Sequence, residues 1–140
     1  MIFGYPEIIK LVQDNLTPDL LVGRWVKQEH PLEGHCYIGA EALYHLIDKE
    51  NYDVYYAVYN DEGGRATHWW LQNKNTGEIL DPTKEQYTHF DLKPPYMLKR
   101  RGMFLTKQPS ARAKIVVDKV NEHINYFGEK QFTTTQLSLF

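Results

Sequence analysis

Three strand-like runs stand together in the middle of this chain, and they constrain its fold more than any other feature. Asp53 to Tyr59 is rich in Tyr and Val, Ala66 to Gln72 carries Trp69 and Trp70, and Gly77 to Asp81 completes the set. Asp61-Glu62-Gly63-Gly64 breaks the first pair and Asn73-Lys74-Asn75-Thr76 the second. Helical patterns lie on either side. Pro6 to Asp14 places Ile8, Ile9, Leu11 and Val12 at helical spacing, and Thr17-Pro18-Asp19 opens a second short helix. Cys36, Ala40, Leu43 and Ile47 recur as one face of a third, with Cys36 in its first turn. Pro94-Pro95 is expected to close the sheet region. Ser110 then caps a long last helix with Ala113, Val116, Val117, Val120, Ile124 and Phe127 on one face, ended by Gly128. The pattern predicts an α+β fold with flanking helices at both ends: one domain over 1–128, and a mobile tail over 129–140 without helical periodicity.

The 140 residues suffice for one domain, and 42% apolar content supplies a core. A formal charge of −2 gives no global attraction to nucleic acid or anionic membrane. The charge is uneven, however. Lys93 to Lys119 holds eight basic residues (Lys93, Lys99, Arg100, Arg101, Lys107, Arg112, Lys114 and Lys119) against one acid, Asp118. That strip is either a solvated loop and helix face or a surface near DNA. No apolar run approaches the roughly 20 residues that span a bilayer. The first residues carry no basic stretch followed by an apolar one, so no export signal is expected. With a single cysteine and no disulfide, the expectation is a cytoplasmic protein. There is no phosphate-binding glycine loop and no zinc-finger spacing. His30 and His35 lie five apart with no thiolate or carboxylate cluster to complete a site, so neither metal nor cofactor is expected.

One cysteine, one strand histidine and one aspartate on the partner strand make the most informative constellation. With Asn73 to Thr76 as a four-residue hairpin loop, His68 falls directly opposite Asp81 on the same face. The aspartate is then expected to accept the Nδ1–H of His68, leaving Nε2 free for a third group. Cys36 suits that place, because a helix N-terminus and a neighbouring imidazolium both favour the thiolate. The roles follow: Cys36 as nucleophile, His68 as general base and acid, Asp81 as orienter. The Cys36 backbone N–H would stabilise an oxyanion, with Gln28 as second donor and His35 and His30 as weaker candidates. Taken singly, each residue also has an ordinary structural explanation: a core cysteine, a sheet histidine, a turn aspartate.

Gly34-His35-Cys36 opening a helix, then His68-Trp69-Trp70, then Asp81-Pro82-Thr83, resembles the papain-like superfamily, above all its transglutaminase-like branch. There a Cys starts a helix, the His lies in an H-x-W strand, and the Asp belongs to a D-P-T run. The resemblance covers about Gln28 to Tyr87, in the order Cys, His, Asp. It implies a helix packed on an antiparallel sheet and acyl transfer through a thioester. Water as acceptor makes a peptidase, isopeptidase or amidase; an amine makes a transglutaminase or N-acyltransferase.

The last five residues, Gln136-Leu137-Ser138-Leu139-Phe140, resemble the clamp-binding peptide of bacterial replication and repair proteins. That resemblance implies the bacterial DNA sliding clamp as partner, Leu139 and Phe140 anchoring in an apolar pocket and Gln136 hydrogen-bonding at its rim. It would place a bacterial or phage protein at the replication machinery. The leading reading is a clamp-recruited cysteine acyl-transfer enzyme. Two others stand beside it: a non-enzymatic clamp-binding module or inhibitor with a degenerate triad, and an N-acyltransferase acting on DNA bases.

Overall fold

The computed structural model describes residues 4–21, 30–61 and 63–138, with side chains described as far as Phe127. Among the described residues, four α-helices and a four-stranded antiparallel sheet make an α+β fold. Helix α1 spans Tyr5–Asp14 and starts with Pro6 in its first turn, where a missing N–H costs nothing. Pro18–Leu20 forms a single 3-10 turn rather than a full second helix. Helix α2 spans Cys36–Tyr44, so the cysteine is its first residue. Strands β1 (Tyr52–Asp61) and β2 (Gly64–Asn73) form a long hairpin. Strand β3 is only Ile79–Leu80, helix α3 is Glu85–Thr88, β4 is Arg100–Gly102, and α4 spans Ala111–Ser138. The strand order is β3-β2-β1-β4. Among the described residues, no helix is long and apolar enough to cross a membrane.

Alternation along the strands sends Tyr52, Val54 and Leu71 to one face, where they pack with Leu43, Val12, Val116 and Val120 from the helices. Ala113, Val116, Val117 and Val120 are buried as the periodicity predicts, and Ile124 packs against their cluster. Phe127 differs: at 38% exposure it lies off that face. A buried carboxylate anchors α4. Glu41 of α2, 1% exposed, accepts hydrogen bonds from the Ser110 backbone N–H (2.8 Å) and hydroxyl (2.7 Å), directly at the helix N-terminus.

Three further expectations about the elements fail for local reasons. The last helix does not stop at Gly128; it continues to Ser138. Glycine weakens a helix interior by only about 1 kcal/mol, and Glu129, Lys130 and Gln131 beyond it are good helix formers. Pro94-Pro95 does not close the sheet either, because β4 pairs with β1 beyond it. Arg100-Arg101-Gly102 has no strand character of its own. Gly102 is admitted because a Cβ there would stand 2.9 Å from both the Trp69 and Tyr56 rings. Lastly, the third strand begins at Ile79 rather than Gly77, whose φ of 76° belongs to a turn.

That last difference moves the register. Leu71 pairs with Leu80 and Gln72 with Ile79, two residues away from the expected alignment. The Asn73 side chain explains the shift, since its Oδ1 accepts from the N–H groups of Asn75 (2.8 Å) and Thr76 (3.0 Å). Asn73 therefore ends β2 and the loop starts after it. A shift of two preserves which face each residue occupies, so Asp81 stays on the side of His68 as a diagonal neighbour, within reach, rather than directly opposite.

Candidate active site

Cys36, His68 and Asp81 converge from three elements. Gly34, with φ of 81°, turns the chain into His35 and so delivers Cys36 to the start of α2. Strand β3 ends at Leu80, so the outer edge of β2 is uncovered beyond its last pair, and the Cys36 thiol meets that edge, donating to the Thr67 carbonyl at 3.4 Å. The thiol also lies close enough to His68 to favour its charged form. Cys36 is partly exposed, whereas the side chains of His68 and Asp81 are fully buried.

The imidazole meets the carboxylate through the opposite nitrogen from the one expected. His68 Nε2 lies 2.6 Å from Asp81 Oδ2, which leaves Nδ1 as the nitrogen available to Cys36. The role is the same in kind: a carboxylate on one nitrogen holds the ring and supports its charge.

Several residues that the sequence did not single out complete the site. The Tyr96 hydroxyl donates to Asp81 Oδ2 at 2.7 Å, and the Thr83 backbone N–H donates to Oδ1 at 3.1 Å. The Gln86 amide stands 3.5 Å from His68 Nδ1. Trp70 stacks on the imidazole with centroids 5.6 Å apart, and Tyr87 meets it edge-on at 4.9 Å. The Asp81-Pro82-Thr83 run contained a signal for the Thr83 contact, a turn closed by the aspartate on the N–H two residues on. Nothing local foretells Tyr96, fifteen residues beyond Asp81.

Burial of His68 opposes its charge, but Asp81 first and the Cys36 contact second outweigh it, and its pKa is pushed up to about 9. His68 is therefore an imidazolium at neutral pH. Burial of the Tyr96 and Tyr87 hydroxyls raises both, so they remain protonated. His35, 1% exposed, moves the other way: burial and the nearby Arg112 push it down to about 4.

These two histidines predict a stability maximum near pH 6.5. His68 binds its proton more tightly folded than unfolded, so its contribution is full below about 6.5 and lost as pH rises through about 9. His35 binds its proton more weakly folded, so its contribution is full above about 6.5 and lost as pH falls toward about 4. Each limb is worth about 3 kcal/mol at most. Urea unfolding across this range should show both slopes, with His35→Phe flattening the acid limb and His68→Ala the alkaline one.

The remaining candidates do not join the triad. His35 is the residue before α2, buried with Nε2 lacking a hydrogen-bond partner among the described residues. His30 accepts the Leu32 N–H at Nδ1 and packs its ring on His89, 4.9 Å between centroids. Gln28, Leu139 and Phe140 lie outside the described residues, and Gln136, Leu137 and Ser138 form the end of α4. Among the described residues, no three His, Cys, Asp or Glu side chains are grouped to hold a metal ion. Comparison with family models, with curated proteins and with solved structures found no match to this chain.

Proposed function

We propose that this chain is a cysteine-dependent acyl-transfer enzyme of papain-like, transglutaminase-like type, using a thioester intermediate. The single observation that carries the reading is the convergence of the Cys36 thiol, a charged His68 and a buried Asp81 at the open edge of β2. In the first half-reaction Cys36 Sγ, as the thiolate paired with the His68 imidazolium, bonds to the carbonyl carbon of an amide. His68 gives its proton to the leaving nitrogen as the C–N bond breaks, and a thioester remains. In the second, His68 takes a proton from water or an amine as that oxygen or nitrogen attacks, and the thiolate departs. The first-turn N–H groups of α2, which a helix leaves without internal acceptors, are donors for the oxyanion of both steps. Gln28 is the proposed second donor.

The test is alkylation of Cys36, the only thiol, by iodoacetamide as a function of pH. Rapid alkylation at pH 6 that falls at least tenfold in His68→Ala is the expected outcome. A slow thiol with the same profile in both proteins would overturn the reading.

The second part of the proposal concerns recruitment: Gln136 to Phe140 carries this domain to the bacterial sliding clamp. Its support is the sequence of those five residues after Thr133-Thr134-Thr135. Deleting them should abolish clamp binding by surface plasmon resonance while leaving the Cys36 alkylation rate unchanged. A chain that keeps clamp affinity without them lacks this mode. A chain that binds the clamp but has an inert thiol is a binding module, the alternative this same residue pattern supports.

A further inference from the structure

The cations of the basic segment do not share one face. Arg112 turns inward to the Leu20 carbonyl at 2.7 Å, and Lys114 pairs with Asp118 at 2.6 Å. Tertiary structure instead gathers a different set. A cleft of about 540 Å³ between β4, the start of β1 and the segment after Gly102 is lined by Lys49, Lys74, Arg101 and Lys107. Lys49 and Lys74 come from outside the basic segment. One acid, Asp53, lines the same cleft and is held between Arg101 (3.1 Å) and Lys74 (3.9 Å). Four cations against one carboxylate leave a surplus of three in a chain whose formal charge is −2.

The rim is apolar as well as cationic. Met103 is 81% exposed and Leu105 91% exposed, on either side of Phe104, which packs inward on Tyr37 and Trp69. Unpaired bases offer apolar faces that can pack on such exposed side chains while their phosphates meet the cations. Inorganic phosphate would use the cations alone, and duplex nucleic acid keeps its base faces stacked out of reach. Lys99 lies with Arg101 over the Tyr55 ring, 5.2 and 5.6 Å from its centroid, and continues the positive charge beside the edge strand β4.

We infer that this cleft binds single-stranded nucleic acid, with backbone phosphates on Lys49, Lys74, Arg101 and Lys107 and bases against Met103 and Leu105. Cys36 does not line it, so the inference stands or falls separately from the acyl-transfer reading.

The experiment is fluorescence anisotropy of a labelled thymidine oligonucleotide of about 20 nucleotides with the full chain, at several salt concentrations. Lys49→Glu/Lys107→Glu, two exposed cations of the cleft, should weaken binding by roughly tenfold or more at low salt. The double substitution should also make the salt dependence shallower, by about 0.7 in slope for each phosphate no longer neutralised. Met103→Ser/Leu105→Ser should weaken binding about threefold with the salt slope kept, since apolar packing does not release counterions. Lys93→Glu/Lys119→Glu, in the basic segment but outside the cleft, should change affinity less than twofold. Thermal melts of all variants matching wild type secure the comparison. Three results would each overturn the inference: no binding at low salt, an equal loss in the Lys93/Lys119 control, or displacement by heparin or duplex as effective as by the oligonucleotide itself.

Discussion

Asp81→Ala is expected to lower the unfolding free energy by about 3–5 kcal/mol at pH 7, the largest effect of any single substitution in the site. Asp81 has no exposed side-chain surface and accepts hydrogen bonds from His68, Tyr96 and the Thr83 N–H. Removing it leaves a buried imidazole without the carboxylate that supports its charge, and a half-buried tyrosine hydroxyl without an acceptor. The loss carries a pH signature. Because Asp81 holds the His68 pKa up at about 9, its stabilising effect is full near neutrality and fades once His68 is neutral in the wild type. Urea unfolding should therefore show the gap between Asp81→Ala and wild type narrowing from pH 7 to pH 10. Asp81→Asn keeps an acceptor toward His68 and should cost less on both counts. A gap that is constant with pH would mean that Asp81 acts through packing alone.

The second large effect is expected far from the chemistry. Glu41→Ala should destabilise the fold by about 3–4 kcal/mol, because both charge-assisted hydrogen bonds to Ser110 disappear together and the Ser110 N–H is left without its acceptor. The helix behind that anchor supplies Ala113, Val116, Val117 and Val120 to the core, so its N-terminus holds more than itself. Glu41→Gln should lose less, since an amide oxygen still accepts one of the two bonds. Thermal unfolding with near-ultraviolet circular dichroism would read both variants. Equal stability of Glu41→Ala and wild type would show that water serves the Ser110 N–H equally well.

Local chemistry accounts for much of this architecture. Period-2 alternation and turn residues mark β1 and β2, a proline and apolar spacing mark α1, and Ser110 marks the start of α4, each within a few residues of its place. The triad members are likewise identifiable from type and position: a cysteine opening a helix, a histidine on a strand, an aspartate just past the next. Even the faces were determined, since a register shift of two residues leaves the alternation intact.

What the sequence could not determine is what depends on distant partners. Arg100–Gly102 becomes a strand only because β1 offers an edge and the Trp69 and Tyr56 rings leave room for a glycine and nothing larger. Tyr96 reaches Asp81 only after the chain has passed α3 and turned back at Pro94-Pro95. Where Asp81 stands relative to His68 turns on a register that one asparagine side chain in a loop accompanies. Lys49, Lys74, Arg101 and Lys107 share a cleft because the sheet brings their segments to one end. Helix and strand preferences are properties of neighbours in the chain, whereas burial, pairing and the pKa of a side chain are properties of neighbours in space. The sequence therefore determined the elements and the reactive residue types, and the tertiary structure decided their partners, their charge and their approach.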